Sequence, residues 1–305
     1  MAFAEIHRQQ VALLMRLLPQ VAAEPCFALK GGTAINLFVR DMPRLSVDID
    51  LTYLPIEPRE QSLANIDAAV KRIAETARRV LPDVQVIPSA RSRGEDAITR
   101  LLVRTGGVQV KIEVTPVLRG CVYEPEQRSV SPSVEDAFGF AEAKVVSFPD
   151  LYGGKIVAAL DRQHPRDLFD VRDLLANEGI DDALRRAFIV YLLSHDRPMS
   201  EVLAPTRKDI AAEFESGFQG MTEQAVPLEE LLDARERLIA EVVGNMPDEH
   251  RRLLLSVKRG EPDWPLLGLK GVERLPAVRW RLLNLEKLSA EKRAALVARL
   301  EEALE

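Results

Sequence analysis

The stretch LKGGTAINLFVRDMPRLSVDIDLTY, residues 29–53, carries the pattern from which the fold is read. In its second half, residues 46–53 alternate strictly. Val47, Ile49, Leu51 and Tyr53 take one face, and Ser46, Asp48, Asp50 and Thr52 take the other. A period of two predicts a strand with one apolar face, so both aspartates point to the same side. Two like charges that close repel each other. A divalent cation offsets the repulsion, and Mg²⁺ prefers a few carboxylates together with water and phosphate oxygens. The plainer alternative is a solvated strand face. In the first half, residues 26–29 predict a short strand, Gly31-Gly32-Thr33 a turn, and residues 34–39 a helix opening after it. Without Cβ atoms the turn lets backbone N–H groups approach a phosphate closely, and a helix N-terminus adds favourable charge. Thr33 either caps the helix or binds a phosphate oxygen. The alternative is a tight turn and nothing more. The GxxxxGK[ST] phosphate loop is absent.

Working outward, residues 4–22 and 60–80 have helical periodicity, and residues 84–87 and 98–104 read as strands. Gly106-Gly107 signals a hairpin. Residues 107–117 alternate again, with Glu113 on the polar face. If the two alternating strands share a sheet, three carboxylates converge, as two-metal phosphoryl-transfer sites require. Against that, Glu113 has Lys111 as a partner on its own face. After Pro149 strand patterns vanish. Helices are predicted at 149–160, 167–177, 182–194, 228–243, 249–258 and 289–303, with a polar loop or linker at 200–227. The expectation is an α+β protein, with a mixed-sheet domain over residues 1–148 and a helical domain over 149–305.

The totals narrow the class. A chain of 305 residues accommodates one large domain or two moderate ones. With 47% hydrophobic and 29% charged residues it is composed as a folded globular protein and not as a disordered one. A net charge of −6 argues against a surface that tracks nucleic acid throughout, while leaving room for a local basic cleft. Cys26 and Cys121 lie in no CxxC or Cys/His cluster, which disfavours a zinc site or disulfide framework. Cys26, in an apolar run, reads as a small buried residue. The N-terminal MAFAEIHRQQ lacks the basic start and apolar run of a signal peptide, and no stretch approaches the ~20 apolar residues of a membrane span. A cytoplasmic protein without a membrane association is expected.

A second block, PDLYGGKIVAALDRQHPRDLFD, spans residues 149–170. Gly153 and Gly154 fall inside a helical pattern at a cost of ~1 kcal/mol each, which signals close packing or close approach to a ligand. Lys155 is either a phosphate contact or an ordinary exposed lysine. Asp161, Arg162 and His164 read as a loop, and Arg166, Asp167, Asp170 and Asp173 as the start of the next helix. Arg166 and Asp170, four apart, suit a surface ion pair, and Asp167 suits the helix dipole.

The combination of strand, Gly-Gly-Thr, helix, Asp-x-Asp strand and a distant third acid resembles the DNA polymerase β-like nucleotidyltransferases. Within them it resembles the bacterial AbiEii/AbiGii toxin family, which includes the MenT toxins. The matching positions are Gly31, Gly32, Thr33, Arg44, Ser46, Asp48, Asp50 and Leu51, then Lys155, Leu160, Arg162, Arg166, Asp167 and Asp170. Two departures stand out: Val47 replaces the acid that many relatives carry before the first aspartate, and Leu160 falls one position late. The run at 275–285 resembles the family's closing helix. The resemblance implies transfer of a nucleotidyl group from an NTP, with Mg²⁺ (or Mn²⁺) held by Asp48, Asp50 and Glu113. Glu113 is also implied as a helper in deprotonating the acceptor. Gly31, Gly32 and Thr33 are implied to cradle the triphosphate and Lys155 to neutralise phosphate charge. Asp170, with Asp167 as its rival, is implied as a functional acid, and Arg44, Arg162 and Arg166 as phosphate or acceptor contacts. It further implies the toxin half of a toxin–antitoxin or phage-defence pair, with tRNA as acceptor and an antitoxin partner. The residues alone leave two other readings open: nucleotidyl transfer to protein or to itself, or a kinase-like phosphotransfer, with the same site chemistry; or a non-catalytic NTP-binding module.

Overall fold

The computed structural model describes residues 3–90 and 97–305, so Met1 and Ala2 of the N-terminal reading lie outside the described residues. The chain forms two compact units, Met1–Ser147 with Gln219–Ala225, and Phe148–Phe218 with Val226–Glu305.

The first unit is built on seven strands: β1 (Phe27–Lys30), β2 (Asp48–Tyr53), β3 (Gln85–Ala90), β4 (Ile98–Thr105), β5 (Val108–Arg119), β6 (Glu126–Ser129) and β7 (Glu142–Val145). They lie in the order β3-β4-β5-β2-β1-β7-β6. β2 is antiparallel to β1 and parallel to β5. Alternation explains the layering. Ile49, Leu51 and Tyr53 of β2, Val110, Ile112 and Val114 of β5, and Leu101 and Val103 of β4 are all buried. Helices α1 (Glu5–Ala22) and α3 (Arg59–Val80) pack on each other and on the sheet. Leu14, Leu17 and Leu18 of α1 and Ile66, Val70 and Ile73 of α3 are buried there. Gly106 and Gly107 close the β4–β5 hairpin with φ of 52° and 82°, the conformation that a two-residue turn of matching twist demands.

The glycine turn follows β1 directly. The one-turn helix α2 (Gly31–Ala34) widens into a π-helical stretch, Ile35–Val39, so the helix begins three residues earlier than its apolar pattern. The sequence pattern assigned nothing to β6, α4 (Pro132–Phe138) and β7, which are too short to display a period. Cys26 is only partly buried, a correction to its reading as a core residue: it sits one position before β1, where its carbonyl accepts from Leu54 N at 2.9 Å.

The second unit is helical: α5 (Phe148–Arg162), α6 (Pro165–Asn177), α7 (Asp182–Ser194), α8 (Met199–Leu203), α9 (Ala211–Gly217), α10 (Leu228–Ile239), α11 (Asp248–Arg259), α12 (Pro276–Glu286) and α13 (Ala290–Leu304). The polar segment after residue 199 is therefore not a plain linker. Met199, Val202 and Leu203 of α8 are buried, whereas α9 buries none of its own residues and is flanked by the buried Ile210 and Phe218. Phe218 meets Phe169 in a tilted ring contact, with centroids 5.5 Å apart. Among the described residues no helix is long and apolar enough to cross a membrane.

Candidate active site

In the first unit, register gathers the polar face of the sheet. Lys30 pairs with Asp50, Asp50 with Glu113, and Glu113 with Arg100, a row across β1, β2, β5 and β4. One step along, Asp48 pairs with Lys111. Three carboxylates and three cations thus share one face. Glu113 is held by Arg100 at 2.9 Å and Lys111 at 3.0 Å. Burial alone would raise its carboxyl, but those two partners outweigh burial and hold it below the usual glutamate range. Burial likewise disfavours the Lys111 ammonium, yet Asp48, Glu113 and Asp50 outweigh it and push its pKa up. Asp50 behaves oppositely. Burial is the main cause that raises its carboxyl; Lys30 and Lys111 oppose the rise, and Asp48 and Glu113 add to it.

The glycine turn packs against the half-buried Asp50. Gly31 has φ of +73°, and a Cβ there would stand 2.7 Å from Asp50 Oδ2. A Cβ on Gly32 would meet Arg44 Nη2 and Ser46 Oγ, each at 2.8 Å. Both positions therefore exclude side chains. Thr33 is buried, and its hydroxyl hydrogen-bonds Ser46 Oγ at 3.1 Å and donates to the Asp48 carbonyl at 2.5 Å. Its side chain makes no cap and instead ties the turn to β2. Arg44, 2% exposed, lies beneath the turn and donates to the Leu45 carbonyl at 2.9 Å.

These residues suit a hard divalent cation. Asp48 and Asp50, both half-buried, present oxygen donors on one face, and a cation would favour ionisation of Asp50. Among the described residues no group of three or more Asp, Glu, His or Cys side chains is already set to hold a metal. Glu113 joins the pair only by exchanging Lys111 or Arg100 for the ion. Sequence reasoning passed over Lys30 and Arg100 as site residues. Arg100 alternates onto the polar side of β4, and Lys30, the last residue before the glycines, donates to Thr115 Oγ1 at 3.2 Å.

The second block folds within the helical unit. Helix α5 continues through Asp161 and Arg162, so these are not loop residues; only Gln163 and His164 link it to α6. His164 caps α6 by accepting from Arg166 N at 3.2 Å. Gln163, at φ of 52°, is held in that strained turn by Thr206 O, Lys208 N and Arg235 Nη1. Lys155 is 6% exposed, which removes its reading as a surface lysine, and binds Asp167 at 2.8 Å and Asp170 at 2.9 Å. Asp167 also accepts from Arg162. Burial would raise the Asp167 carboxyl, but Lys155 and Arg162 overwhelm it and hold it far below the usual range. The ammonium is shared by both aspartates, so geometry singles out neither. Gly153 has a packing cause: its Cβ would stand 2.9 Å from the Phe188 backbone nitrogen on α7.

A family model described as "Nucleotidyl transferase AbiEii toxin, Type IV TA system" matches residues 12–297. Among solved structures, the chain is similar to MenT4, a nucleotidyltransferase toxin from Mycobacterium tuberculosis H37Rv, with a TM-score of 0.60 and 17% identity over 92% of each chain. At that identity the likeness is one of fold. Terminal uridylyl transferase 4 from Trypanosoma brucei with bound dUTP aligns over 98% of this chain and 93% of its own, at 14% identity. Its TM-score is 0.28. No curated protein sequence matches the chain.

Proposed function

The chain belongs to the AbiEii nucleotidyltransferase toxin family of type IV toxin–antitoxin systems, and on that premise we propose that it transfers a nucleoside monophosphate from an NTP to the 3′ end of tRNA. The observation that carries this reading is the Gly31-Gly32 turn pressed against Asp50, two residues along β2 from Asp48. In the proposed site, Asp48 and Asp50 hold Mg²⁺, with Glu113 as the third carboxylate. When bound, the ion stabilises charge on the attacking and leaving oxygens.

The chain's own residues do the rest. Three cations already balance three carboxylates on this face. Lys30, Lys111 and Arg100 would be the cations that meet triphosphate oxygens, Lys111 and Arg100 by exchanging Glu113 for them. Such positioned charge is the chief means by which phosphoryl-transfer sites lower the barrier. The backbone of Gly31 and Gly32 approaches the phosphates, and Thr33 and Arg44 hold that backbone in place. Lys155, Asp167, Asp170, Arg162 and Arg166 enter through the family motif. For Lys155 to meet a phosphate, its ammonium must exchange an aspartate for it. The partner is a cognate antitoxin, and the site of action is the cytoplasm, where NTP and tRNA are supplied.

The test is to incubate the protein with Mg²⁺, total cellular RNA and each labelled NTP in turn, beside Asp48→Ala checked for an unchanged melt. Label in tRNA-sized RNA with wild type only is the expected result, and it identifies the base. Label on protein redirects the acceptor. No label, with NTP binding unchanged in the variant, rejects the metal site and leaves a binding module.

A further inference from the structure

At the opposite end of β2 from Asp48, about 16 Å away by strand rise, lies a charge that the proposed reaction does not use. Arg119 ends β5, in register with Tyr53. It is 7% exposed, and its Nε and Nη1 are buried without a hydrogen-bond partner among the described residues. A guanidinium cannot shed its charge, and buried donors left unpaired are costly. The nearby acid, Glu57, has its Oε2 already engaged by Tyr53 OH and Asn65 Nδ2, each at 3.0 Å. Tyr53 and a second cation, Arg59, are also within electrostatic reach. Arg59 opens α3, a 22-residue helix whose N-terminus carries no side-chain cap and has one acid, Glu60, in its first turn. Burial and Arg59 both disfavour the Arg119 charge. The unpaired donors of Arg119, with a second guanidinium in electrostatic reach at the start of a helix, suit a small multivalent oxyanion.

We infer that Arg119, Arg59 and the start of α3 form a binding site for a phosphate group, separate from the Asp48–Asp50 site and independent of the reaction proposed above. The phosphate belongs either to a nucleic-acid backbone or to a free phosphate or nucleotide, and the experiment distinguishes these sources.

The full chain is melted in sodium phosphate and in sodium chloride at equal ionic strength, beside Arg119→Met, Arg59→Gln, Glu57→Gln and Asp48→Ala. Phosphate is expected to raise the melting temperature of wild type and of Asp48→Ala. Arg119→Met should lose that rise while melting in chloride no lower than wild type, because an unpaired buried charge has been removed. Arg59→Gln should reduce the rise, which keeps the site testable even if Arg119→Met fails to fold. Glu57→Gln should enlarge it by removing a repelling carboxylate. A second arm measures binding of a short fluorescent single-stranded RNA. Affinity about tenfold weaker in Arg119→Met, with a salt slope lower by about one, identifies the backbone as the source. Unchanged RNA affinity beside a lost phosphate response identifies the free anion. No phosphate response in wild type, or an equal one in Arg119→Met, overturns the site. So does destabilisation by Glu57→Gln without a phosphate response, since Arg119 is then closed on Glu57.

Discussion

A carboxylate packed against backbone loses part of the water that would stabilise its charge, and Asp50 is half-buried with Gly31 packed against it. Its folded pKa is raised, chiefly by burial, so folding favours the protonated acid. The cost of ionising it is absent below the unfolded value of about 3.9. That cost is fully present once the pH has risen through the folded value. At neutral pH without divalent ions, Asp50→Asn should therefore melt higher than wild type. Adding Mg²⁺ should raise the melting temperature of wild type and leave Asp50→Asn unmoved. Nucleotidyl transfer by the variant should fall by at least about 10²-fold, the scale on which transition-state charge contacts act. Differential scanning fluorimetry in chelator and in Mg²⁺, paired with the labelled-NTP assay, checks both. A variant that melts lower in chelator would show that Asp50 is stabilising as an anion, against the burial argument. The alternation of residues 46–53 placed Asp48 and Asp50 on one face. The packing of the glycine turn against Asp50 was invisible in the sequence, because it joins residues 19 apart.

Elements meet where side chains are small. Gly153 and Gly154 are neighbours on α5, yet they face different surroundings. A methyl on Gly153 meets the backbone of α7 at 2.9 and 3.0 Å; one on Gly154 meets the edge of the Tyr191 ring at 3.3 Å. Either alanine gains ~1 kcal/mol of helix propensity. Backbone cannot step aside, so Gly153→Ala should incur about 1–3 kcal/mol of overpacking and melt below wild type. A ring edge yields by a few tenths of an ångström, so Gly154→Ala should melt at or above wild type, by up to about 2–4 °C. Equal effects at the two positions would refute the helix-crossing explanation. Sequence periodicity located these glycines in a helix but left packing and ligand approach equally open, because both demand a missing side chain. The same α5 carries Lys155 into a buried cluster with Asp167 and Asp170. Breaking a buried pair costs about 3–5 kcal/mol, so any loss of activity in a Lys155 variant must be read beside its melt.

At the scale of the molecule the chain returns to its first unit after building part of the second. Gln219–Ala225 belongs with the sheet unit. There Leu45 N donates to Met221 O at 2.7 Å and Ala4 N to Gly220 O at 2.9 Å, and Met221 is 3% exposed. A fragment of residues 1–148 should therefore melt below the sheet unit of the full chain, by circular dichroism, and a cooperative transition at an unchanged temperature would refute it. By itself the sequence determined which segments are strands and helices wherever a period of two or 3.6 ran for several turns, and hence the α+β class, the Asp-x-Asp strand and the glycine turn. Local sterics and the burial of one face suffice for that. Only the tertiary structure decided partners. It set Glu113 against Arg100 as well as the Lys111 that the strand pattern already offered, buried Thr33 and Arg44 under the turn, and sank Lys155 between two aspartates. It also left Nε and Nη1 of Arg119 without an acceptor among the described residues. Charge pairing and burial depend on what register and packing bring together from far along the chain, and no local pattern encodes that distance.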